Sequence, residues 1–299
     1  MPAEDSAALR GPIPRRLHQV WVGPRPVPDA WANRWRRSYR GWVYRLWREP
    51  DIEAILPADL RSAWEHFLAK PLWHGATDIA RVAIVQREGG VYVDIDSEPV
   101  RSLDKAPFMR GTLFAGLEFG TPDEPIRITN GVIGSTAGHP ILARYIELIA
   151  NAEAIEPPWR TVGGGFLTQA ILEGRELPGV AILPVRTFYP EDKDGIPAPG
   201  DEPVYMRQYW ATNHKLYDFQ GESWRKLAKR RRREPVDEPM GVWLARRFEG
   251  TALPRITMSA RRTFRALVPQ PIRRSGRSIV RRALRALGRR PRPGKGESA

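Results

Sequence analysis

The chain has 299 residues, 41% of them apolar, no cysteine and a formal net charge of +14. That size is enough for one large α/β domain or two modest ones, and the missing cysteine excludes disulfides, thiolate metal sites and a thiol nucleophile. The charge is concentrated: Arg255–Ala299 holds fourteen lysines and arginines against one acid, Glu297, and so accounts for +13 of the total. A near-neutral body argues against a nucleic-acid-binding fold and assigns the basic character to a tail.

Residues 1–12 read as a disordered leader, without the basic and apolar regions of a signal peptide. Leu17–Gly23 has the content of a buried strand running into a Gly-Pro turn, and Asp29–Tyr39 carries Trp31 and Trp35 at helical spacing. Trp42–Trp47 is expected as a second strand and Pro57–Ala69 as a helix opened by proline. A helix over Thr77–Glu88 is stopped by Gly89-Gly90 and followed at once by a strand, Val91–Asp96. Thr112–Leu117, Ile128–Gly134 and Val180–Pro184 read as further strands. His139–Ala150 and Phe166–Leu172 read as helices, the second opened by Gly163–Gly165, and Pro190–Pro203 as a loop. Alternating strands and helices predict an α/β body over residues 13–250.

The tail, 251–299, differs in kind. Over Ser278–Arg290 one helical stripe carries Ile279, Val280, Ala283, Leu284 and Leu287, with arginines on the other side. That pattern suits a basic amphipathic helix on an anionic membrane surface, and Phe264 with Leu267-Val268 suggests an earlier anchor of the same sort. A solvated basic tail is the alternative. The segment holds one aromatic and no stacking platform for single strands, so no nucleic-acid partner is expected. No apolar run reaches the roughly 20 residues that span a bilayer. These features predict a cytoplasmic protein, peripheral on the inner face of the cytoplasmic membrane.

The chemistry concentrates between Asp78 and Asp96. Strand alternation sends Tyr92, Asp94 and Asp96 to one face and Val91, Val93 and Ile95 to the other. Two carboxylates at the end of an apolar strand are costly unless a cation or hydrogen-bond donors receive them. The carboxyl ends of strands in an open α/β sheet are where ligands bind. Asp78 and Arg81, three apart on the preceding helix, share a face; they form either a surface salt bridge of little worth or part of the same site. An acidic pair beside an arginine suits a diphosphate held through Mg²⁺ or Mn²⁺.

Together these segments resemble glycosyltransferase family 32, the DXD-motif sugar-binding-region enzymes related to initiating mannosyltransferases and to clostridial toxin glucosyltransferase domains. The resemblance rests on Ile13–Gly23, on Asp78-Ile-Ala-Arg81 with Gly89–Asp96, and more weakly on Asn130–Ile133, His139-Pro140, Phe188–Pro190, His214 and Ser223-Trp224. It implies a GT-A-type fold, α/β with a Rossmann-like nucleotide half and a mixed central sheet, the basic helical tail lying outside it. The implied reaction is metal-dependent, retaining sugar transfer from a UDP- or GDP-linked donor to a polysaccharide or glycolipid acceptor. Carried over by position, Val20 and Trp21 would line the base pocket and Tyr92 the base or ribose. Asp78 and Arg81 would bind the donor sugar's hydroxyls. Asp94 would bind ribose and sugar hydroxyls or, through water, the metal, and Asp96 the metal directly. His214 would reach the metal or diphosphate, Ser223 and Trp224 would close over the phosphates, and Asn130 would touch donor or acceptor. Without the resemblance Trp21 is an ordinary core aromatic, His214 a structural histidine and Asn130 a turn residue. A non-catalytic nucleotide-sugar-binding relative, a metal-dependent phosphohydrolase and a basic nucleic-acid-binding protein are the competing readings.

Overall fold

The computed structural model describes residues 12–70, 72–119, 127–193 and 195–212. The leader before residue 12, His214, Ser223, Trp224 and the basic tail lie outside the described residues. The described part falls within one compact unit, Met1–Glu234.

Among the described residues six strands form a mixed sheet: β1 (Arg16–Val20), β2 (Val43–Trp47), β3 (Gly90–Val93), β5 (Leu113–Leu117), β6 (Ile128–Ser135) and β7 (Val180–Leu183), in the order β2-β1-β3-β6-β5-β7. Strands β2, β1 and β3 run parallel. The sheet reverses at β6, antiparallel to both β3 and β5, and β7 pairs parallel with β5. A parallel half joined to a mixed half agrees with the α/β architecture expected from the sequence. A separate antiparallel pair, β4 (Ser97–Pro99) with β8 (Met206–Gln208), closes over the end of β3.

Both faces of the sheet are covered, as parallel strands require. On one face lie α3 (Arg61–Ala69), α4 (Trp73–Glu88), α5 (Pro140–Ala150) and α6 (Gly164–Glu173), packing Trp64, Phe67, Ile79, Val82, Leu142 and Leu167 against Tyr92, Leu113 and Ile133. The other face takes Trp35, from α1 (Asp29–Ser38), with Tyr39, Phe108 and Phe188 against Val91, Val93, Phe114 and Val132. The alternation read in the sequence is thus observed: Val91 and Val93 face one core and Tyr92 the other. Truncating a fully buried anchor such as Trp64 would cost about 3–5 kcal/mol.

Local chemistry sets the boundaries. His139 caps α5, its ring accepting from the Ile141 amide at 3.2 Å, with Pro140 in the first turn. Gly89 and Gly90 have φ of +62° and +97°. A Cβ on Gly90 would lie 2.7 Å from Arg16, so only glycine lets the chain leave α4 and enter β3 beside β1.

Four boundaries differ from expectation. Helix α4 begins at Trp73 rather than Thr77, its first turn packing Gly75 and Ala76 into the core. Pro57 opens a 3-10 turn, Ala58–Leu60, before α3 starts at Arg61. A short helix α2 (Glu49–Glu53) precedes it, fixed by Asp51 accepting from the Arg48 amide. Strand β3 ends at Val93, not Asp96. The Asp94 amide still bonds Gly131 O at 2.9 Å, but Ile95 and Asp96 turn away toward β4.

Candidate active site

The carboxyl ends of the adjacent parallel strands β1 and β3 bring the expected donor residues together. Val20 is the last residue of β1 and is buried in the core that holds Tyr92. Trp21 follows, packed on Ile95 and Ala32, with its indole N–H donated to Arg25 O at 2.7 Å. Gln19 Nε2 donates to Asp94 O at 3.4 Å and so ties β1 to the start of the acidic turn.

Asp78 and Arg81 are not a surface pair. Both are buried on α4, and the Arg81 guanidinium lies 3.2 Å from Asp78 Oδ1 and 3.1 Å from Asp94 Oδ1. It also donates to Asn130 O at 2.7 Å and sits 4.7 Å from the centre of the Tyr92 ring. Asn130 Nδ2 donates to Asp78 Oδ1 at 2.9 Å, and the Tyr92 hydroxyl to Asp94 Oδ1 at 2.8 Å. One arginine therefore joins the helix pair, the strand-end acid and β6. Burial alone would lower its pKa, but the neighbouring acids, Asp94 foremost, hold it above the ordinary value. Asp78 is pushed up to about 6, because burial outweighs the help of Arg81 and Asn130.

Asp96 has a different environment. Its Oδ2 accepts from the Ala211 amide at 2.8 Å and its Oδ1 from Gln208 Nε2 at 2.9 Å. The same Gln208 nitrogen lies 3.3 Å from Asp94 Oδ2. Burial, and then the negative charge of Asp94, raise the Asp96 pKa above the ordinary carboxylate range. Gly131 leaves room for this arrangement, since a Cβ there would fall 2.8 Å from Asp94 Oδ2 and 2.6 Å from the Tyr189 hydroxyl.

The sequence reading did not find Gln208, Ala211 or Gly131. Gln208 sits on a three-residue strand more than a hundred positions from its partners, and no local signal marks it. Gly131 had a signal, as a glycine inside a strand marks close approach of another group.

The donor chemistry fits a hard divalent cation. Asp94 Oδ2 and Asp96 Oδ1 converge on one donor, and Gln208 Oε1 beside them is buried with no hydrogen-bond partner among the described residues. Among the described residues no group of three His, Asp or Glu side chains could hold a metal, and the third ligand suggested by the sequence, His214, lies outside them.

Residues 30–110, the span holding Asp78, Arg81, Asp94 and Asp96, match the family model described as the glycosyltransferase sugar-binding region containing the DXD motif. The chain is similar to inositol phosphoceramide mannosyltransferase 1 of Schizosaccharomyces pombe, 28% identical over 146 residues, which are 46% of this chain and 43% of that protein. It is also similar to mannosyltransferase 3 of the same series and organism, 24% identical over 45% of this chain and 36% of that one. The match thus spans less than half the length of these curated relatives. Among solved structures, the PaToxG glycosyltransferase is similar over 57% of this chain and 74% of its own, with 16% identity and a TM-score of 0.43. The glycosyltransferase resemblance read from the sequence is therefore shared by the family model and by curated transferases.

Proposed function

We propose that this chain, carrying the DXD sugar-binding region, is a metal-dependent, retaining glycosyltransferase that moves a hexose from a UDP- or GDP-linked donor to a glycolipid or polysaccharide acceptor. The observation that carries the proposal is the convergence of Asp94 and Asp96 at the end of a buried strand, one side chain away from the Asp78–Arg81 pair. Isolated structural acids would not be gathered at such electrostatic cost.

Asp96, with Asp94 and Gln208, would hold Mn²⁺ or Mg²⁺, which when bound offsets the charge on the departing diphosphate. Asp78 and Arg81 would receive the donor sugar's hydroxyls, with Asn130 and Tyr92 fixing their orientation. Val20 and Trp21 would border the base, and Ser223, Trp224 and His214 the diphosphate. In the transfer, the bond from the anomeric carbon to the diphosphate oxygen breaks on the face where the acceptor oxygen bonds. The acceptor's proton passes to the leaving phosphate oxygen. No residue here is assigned as a covalent nucleophile.

The acceptor side of the proposal rests on Trp159. The residue is 46% exposed, and the guanidinium carbons of Arg127, which also pairs with Glu118 at 3.0 Å, and of Arg160 lie 4.8 and 5.4 Å from the centre of its ring. Asp78 Oδ2 and the Trp159 Cα both lie about 3 Å from the point a Cβ on Gly163 would occupy. The Trp159 backbone therefore lies close to Asp78, the residue that would receive the donor sugar. An aromatic plane flanked by cations suits a ring acceptor bearing a phosphate, the kind of headgroup named in the mannosyltransferase relatives. The basic tail would keep the enzyme on an anionic cytoplasmic membrane surface. Vesicle sedimentation after deletion of Ser278–Ala299 tests that part, and unchanged binding would remove it.

Incubation with UDP- and GDP-hexoses, Mn²⁺ and an inositol-phosphate glycolipid tests the reaction. Metal-dependent glycosylated product is expected. Donor hydrolysis that no acceptor ever diverts would favour a phosphohydrolase instead.

A further inference from the structure

The side chain least explained by its surroundings is Gln208. It is 8% exposed, and its nitrogen serves two carboxylates while its oxygen has no partner among the described residues. The orientation follows from the two neighbouring carboxylates, which demand a donor. It leaves a buried carbonyl oxygen without a partner among the described residues, a state that is costly away from water. The backbone is held independently: β8 pairs with β4 through Ser97 and Gln208, and the Tyr209 amide donates to Asp96 O at 2.7 Å. The terminal amide can therefore rotate without moving the strand.

We propose that Gln208 is a two-state positioning residue for the cation site. Its –NH₂ holds Asp94 and Asp96 together when no cation is present, and its Oε1 turns to the cation when one binds. A primary amide is the side chain suited to both tasks, since it offers a donor to anions from one end and a hard oxygen ligand from the other. A carboxylate would add a third repelling charge to the empty site. An apolar residue would leave both acids without their shared donor. The inference rests on the cation reading of the Asp94–Asp96 pair and extends it to a residue outside the acidic motif.

The test measures Mn²⁺ binding by calorimetry on the full chain, without donor or acceptor, for the unchanged protein, Gln208→Leu and Gln208→Glu. The expected result is that Gln208→Leu weakens Mn²⁺ binding by about 10–100-fold and lowers the melting temperature in EDTA. The isosteric Gln208→Glu should bind Mn²⁺ at least as tightly as the unchanged protein while melting lower in EDTA. Should Gln208→Leu fail to fold, the side-chain amide signal of Gln208 in the unchanged protein replaces it: protected from exchange in EDTA, it should lose protection when Mg²⁺ is added. A Mn²⁺ affinity of Gln208→Leu within twofold of the unchanged protein, or an amide signal indifferent to Mg²⁺, would make Gln208 a plain strand clasp and overturn the proposal. If the unchanged protein bound no Mn²⁺ at all, the cation reading beneath it would fall instead.

Discussion

The two acidic groups of the site, Asp78 on α4 and Asp96 after β3, are both buried, yet they are compensated differently. Asp78 has a full positive charge beside it, the Arg81 guanidinium at 3.2 Å, and an amide from Asn130. Among the described residues, Asp96 meets neutral donors, Gln208 and the Ala211 amide, and faces a second carboxylate. A closed ion pair can orient neutral hydroxyls without needing another ion. Arg81 is shared between Asp78 and Asp94, so the three acids together keep net negative charge, and that residual charge is what a divalent cation at Asp94 and Asp96 would satisfy. Under the proposed function, this contrast would separate a sugar-recognising end from a phosphate-recognising end within one site.

The largest expected effect comes from removing the charge that closes the first group. Arg81→Met should destabilise the fold by about 3–5 kcal/mol, since it leaves Asp78 and Asp94 without their shared cation. Urea unfolding measures this; a loss below about 1 kcal/mol would show that the pair is not the strut described.

Asp96→Asn attacks the second group and should behave in the opposite way. Transfer should fall about 10²–10³-fold or more, while stability changes by no more than about 1 kcal/mol. The carboxylate is held at an electrostatic cost, so its neutral replacement relieves what it loses in hydrogen bonding. Full metal-dependent transfer by this variant would contradict the assignment.

The pH dependence sharpens the same comparison. Asp78 and Asp96 both have folded pKa values raised above the ordinary 3.8. The folded chain therefore binds these protons more tightly than the unfolded chain does. Their contribution to stability is complete below about 4 and is lost as pH rises through about 6 at Asp78, and through a raised value at Asp96. In EDTA the protein should melt higher at pH 5 than at pH 7.5 relative to Asp96→Asn, and Mn²⁺ should shrink that difference at pH 7.5. A flat difference across this range would mean that Asp96 is not electrostatically burdened.

The smallest effect is expected outside both groups. Trp159→Ala should raise the acceptor KM about tenfold, with donor hydrolysis and Mn²⁺ binding unchanged. Equal loss of hydrolysis would place the indole on the donor side.

The sequence made one half of this comparison legible and hid the other. The helix, the glycine stop, the β3 alternation and the Asp78–Arg81 spacing are local patterns, and α4, β3 and the buried pair follow them closely. The extended strand to Asp96 was not borne out, because the turn after Val93 is imposed by β4 pairing with β8 rather than by residues 91–96. Three-residue strands, one ending in Pro99, carry too little periodicity to be read. Gln208, which receives both acids, inherits that obscurity. The start of α4 was missed because Leu72 provides no side-chain cap, so tertiary packing of Gly75 and Ala76 alone sets it.

The most direct measurement is calorimetric titration of UDP and GDP into the full-length protein and into Asp96→Asn, with Mn²⁺ and with EDTA. One nucleotide should bind the unchanged protein in Mn²⁺ and weaken at least about tenfold, or about 1.4 kcal/mol, on chelation or in the variant. Equal affinity in all four conditions would show that no cation held by Asp94 and Asp96 anchors a diphosphate here.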